Sequence, residues 1–174
     1  VDELTVRRAR LMADLAGQSD FTVAPPQGRA MTAEVDTIIG QERSVLRAGQ
    51  QALLSQKEQL NERTLQLAKE LDGTQLQADA RKAEIAVVQK QIANLQKLLA
   101  SNLVPKTRLE EAQKEAQRLK GDQGRLLADV AQTRGRISEI NLQLLQLDQD
   151  HRAEVGKELR ETESKLSEAV EREI

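Results

Sequence analysis

The sole histidine of this chain, His151, stands between Asp148 and Asp150, the one place where a general base or a metal ligand can be sought. One imidazole with no cysteine anywhere is a thin donor set, and helical spacing puts His151 near an apolar seam, where it packs or hydrogen-bonds. Gly121-Asp122-Gln123-Gly124 has the outline of a GxxG backbone clamp, but it lies inside a long helical repeat with no strands around it. Arg7, Arg8 and Arg10 form a short basic cluster that reads as a solvated helix face rather than a phosphate site. No P-loop, dinucleotide fingerprint or nucleophile elbow is present. The residues therefore support no catalysis, cofactor or metal.

A different kind of site is legible at Leu98-Leu99-Ala100-Ser101-Asn102-Leu103-Val104-Pro105-Lys106-Thr107, the only turn between two long helix-forming runs. Asn tolerates the left-handed conformation that ends a helix, so Asn102 can stop the incoming run. Pro105 fixes φ near the helical value and lacks an N–H, which suits a helix start and drives Val104 into an extended conformation. Thr107 and Glu110 also have capping-box spacing, so the second helix can begin at either place. Leu103 and Val104 have two readings: an exposed apolar docking apex, or a cap in which Leu103 folds down beside Leu99.

The elements that hold this turn follow from composition. Of 174 residues 31% are charged and 1% aromatic, with Phe21 the single aromatic side chain, and the net charge is −2. Ala, Leu, Gln, Glu, Lys and Arg dominate, a mixture that favours long helices over a compact core. Mixed charge, no basic stripe and no stacking aromatics argue against nucleic acid. No window approaches the roughly 18 apolar residues of a membrane span, and there is no signal-peptide pattern. A chain that starts on Val1 rather than Met is expected to be a piece of a longer protein, with an anchor or further domains outside it.

Residues 1–17 read as a short helix, with Asp2 as its cap and Leu4, Val6, Leu11, Met12 and Leu15 as its apolar face. Residues 18–31, with Pro25 and Pro26, read as a linker that Phe21 and Val23 staple to a helix. A first arm covers 32–100, with Thr32 as N-cap. Leu46, Leu53, Leu60 and Leu67 form one row, resumed at Val88 and Leu95; Leu71, Ala78, Ile85, Ile92 and Leu99 form its companion. Thr74, Arg81 and Gly73 loosen the region around 72–82. The tip is 101–106, and the second arm, 107–174, repeats the pattern through Leu109, Ala116, Val130, Ile137 and Leu144 and through Ala112, Leu119, Leu126, Ile140 and Leu147, with Gln123 and Thr133 as polar exceptions. The phase then jumps to Val155, Leu159, Leu166 and Val170, a four-residue stutter.

Two arms, each spanning on the order of 100 Å, joined by so short a turn must fold back on each other. The fold class is all-α: a long antiparallel coiled-coil hairpin whose facing positions sum to about 207, with the short N-terminal helix packed near its base. A parallel rod kinked at Pro105 is the alternative.

Leu95-Gln96-Lys97-Leu98-Leu99 followed by Asn102-Leu103-Val104-Pro105-Lys106-Thr107-Arg108-Leu109 resembles the hairpin tip of periplasmic adaptors, the membrane fusion proteins of bacterial type I secretion, in the haemolysin D-like branch serving protease and lipase exporters. Gly121 and Gly124, Ile137-Ser138-Glu139-Ile140, Leu142 to Asp148, Glu154-Val155, Glu158-Leu159-Arg160 and the Pro-Pro linker are similar as well. Adaptors of this superfamily often carry an Arg, a Leu four residues on and a Ser or Thr seven beyond; here those positions are Asn94, Leu98 and Pro105, and only the Leu is kept. The resemblance implies a tip contact through Asn94, Leu98, Asn102, Leu103, Val104, Pro105, Lys106, Thr107 and Arg108. It also implies an inner-membrane anchor, lipoyl-like and β-barrel domains outside this chain, and about six hairpins in a periplasmic funnel between an inner-membrane ABC transporter and a TolC-like outer-membrane channel. The competing expectation is a non-enzymatic coiled-coil scaffold or spacer joining two complexes.

Overall fold

The structure, a computed structural model, describes residues 1–24 and 32–173. Its described elements are α1 (Asp2–Leu15), α2 (Ala33–Ala100) and α3 (Lys106–Glu173). The Pro25-Pro26 part of the expected linker lies outside the described residues. The chain divides into two compact units, Val1–Asn61 with Leu142–Ile174, and Glu62–Asn141.

In the first unit, α1 starts without a side-chain cap. The N–H and hydroxyl of Thr5 both donate to the Val1 carbonyl, and Asp2, expected as the cap, sits inside the first turn, where its charge still favours the helix N-terminus. The helix closes at Gly17, whose φ of 67° sets up two backbone bonds: Gly17 N–H to Asp14 C=O at 3.0 Å and Gln18 N–H to Ala13 C=O at 2.9 Å. Thr32 caps α2 through its hydroxyl oxygen, which accepts from the Val35 N–H at 3.3 Å.

Val6, Ala13, Phe21, Val35, Ile39 and Leu46 form one buried cluster, with Val23 packed against it, so Phe21 and Val23 do staple the segment after α1 to a helix. Leu11 is fully buried, whereas Met12, expected on the same face, is half exposed because Ala13 takes the inward position. After the stutter Val155 is buried and Leu159 and Leu166 are half-buried. The row then runs through buried Thr162 and half-buried Ala169; Val170, expected on it, is 42% exposed. The Thr162 hydroxyl is tolerated there because it donates to the Glu158 carbonyl at 2.8 Å.

Two of the three arginines of α1 are a correction: Arg8 is exposed, as expected of a solvated face, but Arg7 is half-buried and Arg10 is buried. Arg10, only 7% exposed, donates through Nε to Glu42 of α2 at 2.5 Å and through Nη2 to Glu158 of α3 at 3.0 Å. Arg7 donates to the same Glu158 oxygen through Nε and Nη2 at 3.0 and 2.7 Å, and Arg8 reaches Glu163 at 3.1 Å. His151 faces Asp14 of α1 at 3.2 Å, while Asp148, its sequence neighbour, pairs with Lys57. The short helix is thus held to both long helices by charge-assisted bonds laid over an apolar cluster.

In the second unit, α2 and α3 meet along the predicted seam. Leu67, Ala78 and Ile85 are buried from α2, and Ala112, Ala116, Leu119, Val130 and Ile140 from α3. Thr133 is buried in the same row, and Gln123 is half-buried. Across 72–82 the helix is unbroken, with Ala78 almost fully enclosed and Thr74 and Arg81 half-buried beside it. Arg81 and Leu126 line one groove, which fits antiparallel pairing at the predicted register and overturns the parallel rod.

Candidate docking tip

The turn between α2 and α3 is built from backbone bonds that its sequence makes possible. Asn102 adopts φ 56°, the only positive φ of a non-glycine residue among those described. In that left-handed conformation the Asn102 N–H donates to the Leu99 carbonyl at 2.9 Å and the Leu103 N–H to the Leu98 carbonyl at 2.9 Å. This pair of bonds satisfies carbonyls that the end of α2 would otherwise leave open. Val104 follows as a bend, and α3 begins at Lys106, one residue before the expected arm boundary, with Pro105 flanking it and accepting from the Arg108 N–H at 3.2 Å. Of the two possible starts, Pro105 is the one used. Thr107 lies within the first turn.

The bond network fixes where the side chains go. Leu103 is 69% exposed, so the reading in which it folds down beside Leu99 is overturned; half-buried Val104 and Leu99 occupy that level instead. Asn102, Pro105, Lys106, Thr107 and Arg108 are all exposed around Leu103, and Lys106 pairs with Glu110 at 3.4 Å. On the last turns of α2, Asn94 and Leu98 stand four residues apart on one exposed face. The Leu98 carbonyl is the one that receives the Leu103 N–H, so the Leu98 and Leu103 backbones are tied together. The nine residues singled out in the sequence therefore fall on one helix end, one turn and one helix start, and apart from Val104 all are exposed.

The arrangement is an apolar knob ringed by a few polar side chains. Its polar groups are a lone amide pair, one lysine, one threonine and one arginine around an apolar knob. Elsewhere, among the described residues, no group of three or more His, Cys, Asp or Glu side chains could hold a metal ion, and no helix is long and apolar enough to cross a membrane. Gly121 and Gly124 lie within uninterrupted α3, not in a clamp loop. Sequence reasoning missed the polar lock of α1, whose only signal was three arginines within about one turn.

A family described as "AprE, long alpha-helical hairpin" matches residues 1–174. Over 168 residues the chain is 36% identical to the type I secretion system membrane fusion protein PrsE of Rhizobium meliloti (strain 1021), covering 95% of this chain and 38% of that protein. The chain thus spans well under half the length of this relative. The crystal structure of the soluble domain of LipC, a membrane fusion protein of a type I secretion system, superposes with a TM-score of 0.90 at 20% identity, covering 96% of this chain and 79% of that one. At that identity the likeness concerns the fold alone. The resemblance carried by the tip and the second arm is matched along the whole chain, which belongs to the AprE long alpha-helical hairpin family of type I secretion membrane fusion proteins.

Proposed function

We propose that this hairpin is the spacer and docking arm of a periplasmic adaptor. Its tip meets a TolC-like outer-membrane channel, and the protein to which it belongs couples that channel to an inner-membrane ABC transporter. In this reading the protein is held to the inner membrane by a segment outside this chain. It works as a homo-oligomer of about six copies, and its role is mechanical: ATP hydrolysis by the transporter drives export, and the adaptor forms wall and coupler.

One observation carries the proposal. Leu103 is thrust into solvent by a turn whose backbone groups are internally satisfied. An apolar side chain held out on an ordered apex is the arrangement expected of a contact residue, because ordering costs little at the moment of binding. Asn94 and Leu98 extend that surface along α2. Family membership and the name of PrsE support the secretion context.

The test is secretion by cells carrying Leu103→Asp in the full-length protein. The side chain contacts little within the hairpin, so adaptor level and thermal stability stay at those of the parent while secretion falls sharply. Undiminished secretion with Leu103→Asp would refute docking through the tip.

A further inference from the structure

The 28 acidic residues of this chain leave one long stretch empty, for none lies between Glu84 and Glu110. That stretch is the end of α2, the turn and the start of α3, and it holds Lys90, Lys97, Lys106 and Arg108, all exposed. Every acid of the chain and the other 22 of its 26 cations lie elsewhere. A hairpin of otherwise mixed charge therefore ends in a cationic cap.

The placement of these charges does not serve the hairpin itself. The positive end of a helix dipole favours acids in the first turn, and α1 and α2 follow this with Asp2 and Glu3 and with Glu34 and Asp36. The first turn of α3 has no acid and carries Lys106 and Arg108 instead. Lys106 finds the Glu110 carboxylate at 3.4 Å, but its side chain is 76% exposed, and such a pair within one helix is weak and exchanges readily for an external partner. Lys97 and Arg108 form no ion pair among the described residues. Glu110 and Glu111, the nearest acids, come only in the second turn of α3, and beyond them Glu115 and Asp122 are taken up by Arg118. Cations set against a helix dipole with no acid beside them break a local rule that the rest of the chain keeps, and a partner outside the chain accounts for it.

The cap encloses the apolar knob. Leu103 is 69% exposed, and its N–H is tied to the carbonyl of Leu98, the residue after Lys97. Lys106 and Arg108 follow Leu103 by three and five residues. One exposed leucine thus has cations on both sides of it in the chain, and Lys90, two turns down α2, adds to the same field.

We infer that the tip recognises a protein surface in which an apolar socket is rimmed by carboxylates. Leu103 fills the socket, and Lys97, Lys106 and Arg108 meet the acids around it. Burial of the leucine gives the contact its hold, while the charges align the two surfaces, speed their encounter and reject partners with basic rims. This inference rests on docking through the tip and assigns the chemistry of the outer-membrane partner's rim.

The test uses the full-length protein with Leu103→Cys, labelled with a thiol-directed photocrosslinker in secreting cells. In this background the expected product is an adduct with an outer-membrane channel. Adding Lys97→Glu with Arg108→Glu lowers its yield about tenfold at equal adaptor level, because like charges then face each other across the contact. Lys97→Gln with Arg108→Gln, which adds no repulsion, gives a smaller loss, and Lys97→Arg with Arg108→Lys gives none. Lys82→Glu with Lys120→Glu, the same change of net charge at two exposed positions away from the tip, also leaves the yield unchanged. A channel adduct undiminished by Lys97→Glu with Arg108→Glu, or diminished equally by Lys82→Glu with Lys120→Glu, would overturn the acidic rim and leave docking through the tip standing. An adduct formed only with lipid, or only with a second copy of this chain, would overturn both, as would no adduct at all.

Discussion

Replacing Arg10 by Ala should loosen α1 from the two long helices, and the structure sets the size of the effect. Arg10 donates to Glu42 and Glu158, with its own side chain 8% exposed and the two carboxylates 18% and 31% exposed. Removing one partner of a fully buried ion pair costs about 3–5 kcal/mol, mostly because a charge is stranded. Here solvent reaches both carboxylates and Glu158 keeps Arg7, which reduces the loss to about 2 kcal/mol. By contrast Arg8 and Glu163 are 45% and 44% exposed, and Arg8→Ala should cost about 0.5 kcal/mol or less. Hydrogen exchange separates the two: amides of α1 should exchange about thirtyfold faster in Arg10→Ala and almost unchanged in Arg8→Ala. Equal protection of α1 in both variants would refute the claim that the buried guanidinium, rather than the cluster around Val6 and Phe21 alone, holds the helix in place.

The same lock gives a pH dependence. Partial burial pushes the Glu158 carboxyl up, but hydrogen bonds and charge from Arg7 and Arg10 together outweigh this and hold it below its ordinary value of 4.5. Its contribution is therefore full above about pH 4.5 and is lost as pH falls through the lower folded value; an acid titration of α1 exchange should show this step, and Glu158→Gln should abolish it. At the tip, Asn102→Gly should preserve or raise the melting temperature, whereas Asn102→Val, a β-branched residue forced to φ 56°, should cost about 1–3 kcal/mol. In the first unit Leu46, 1% exposed, should cost about 2–5 kcal/mol on truncation to Ala, while Leu145→Ala, on an exposed position, should stay within about 0.5 kcal/mol in denaturant melts.

What was legible in the sequence was local or periodic. Asn102 and Pro105 announce the turn because each restricts its own backbone, and the heptad rows predict the seam because a slip would expose a whole face. The lock of α1 was not legible, since Arg10 finds Glu42 and Glu158 only after α2 and α3 are paired in register; three arginines with no visible partner look solvated. Met12 and Val170 were misplaced for a related reason. α1 touches two helices and buries a wider arc, through Val6, Arg10, Leu11 and Ala13, than a single apolar stripe suggests, and past the stutter Thr162 holds the inward position that an apolar-only search passes over. The exposure of Leu103 was undecidable from its type, because the choice between knob and cap depends on how the backbone bonds from Asn102 and Leu103 aim the next side chain.

The most direct test of docking through the tip is crosslinking from a single cysteine. Leu103→Cys in the full-length protein, in cells that are secreting, should yield an adduct with an outer-membrane channel. Leu145→Cys, at a position of similar exposure, should not. A modified but unpartnered Cys at position 103 in secreting cells would contradict the account.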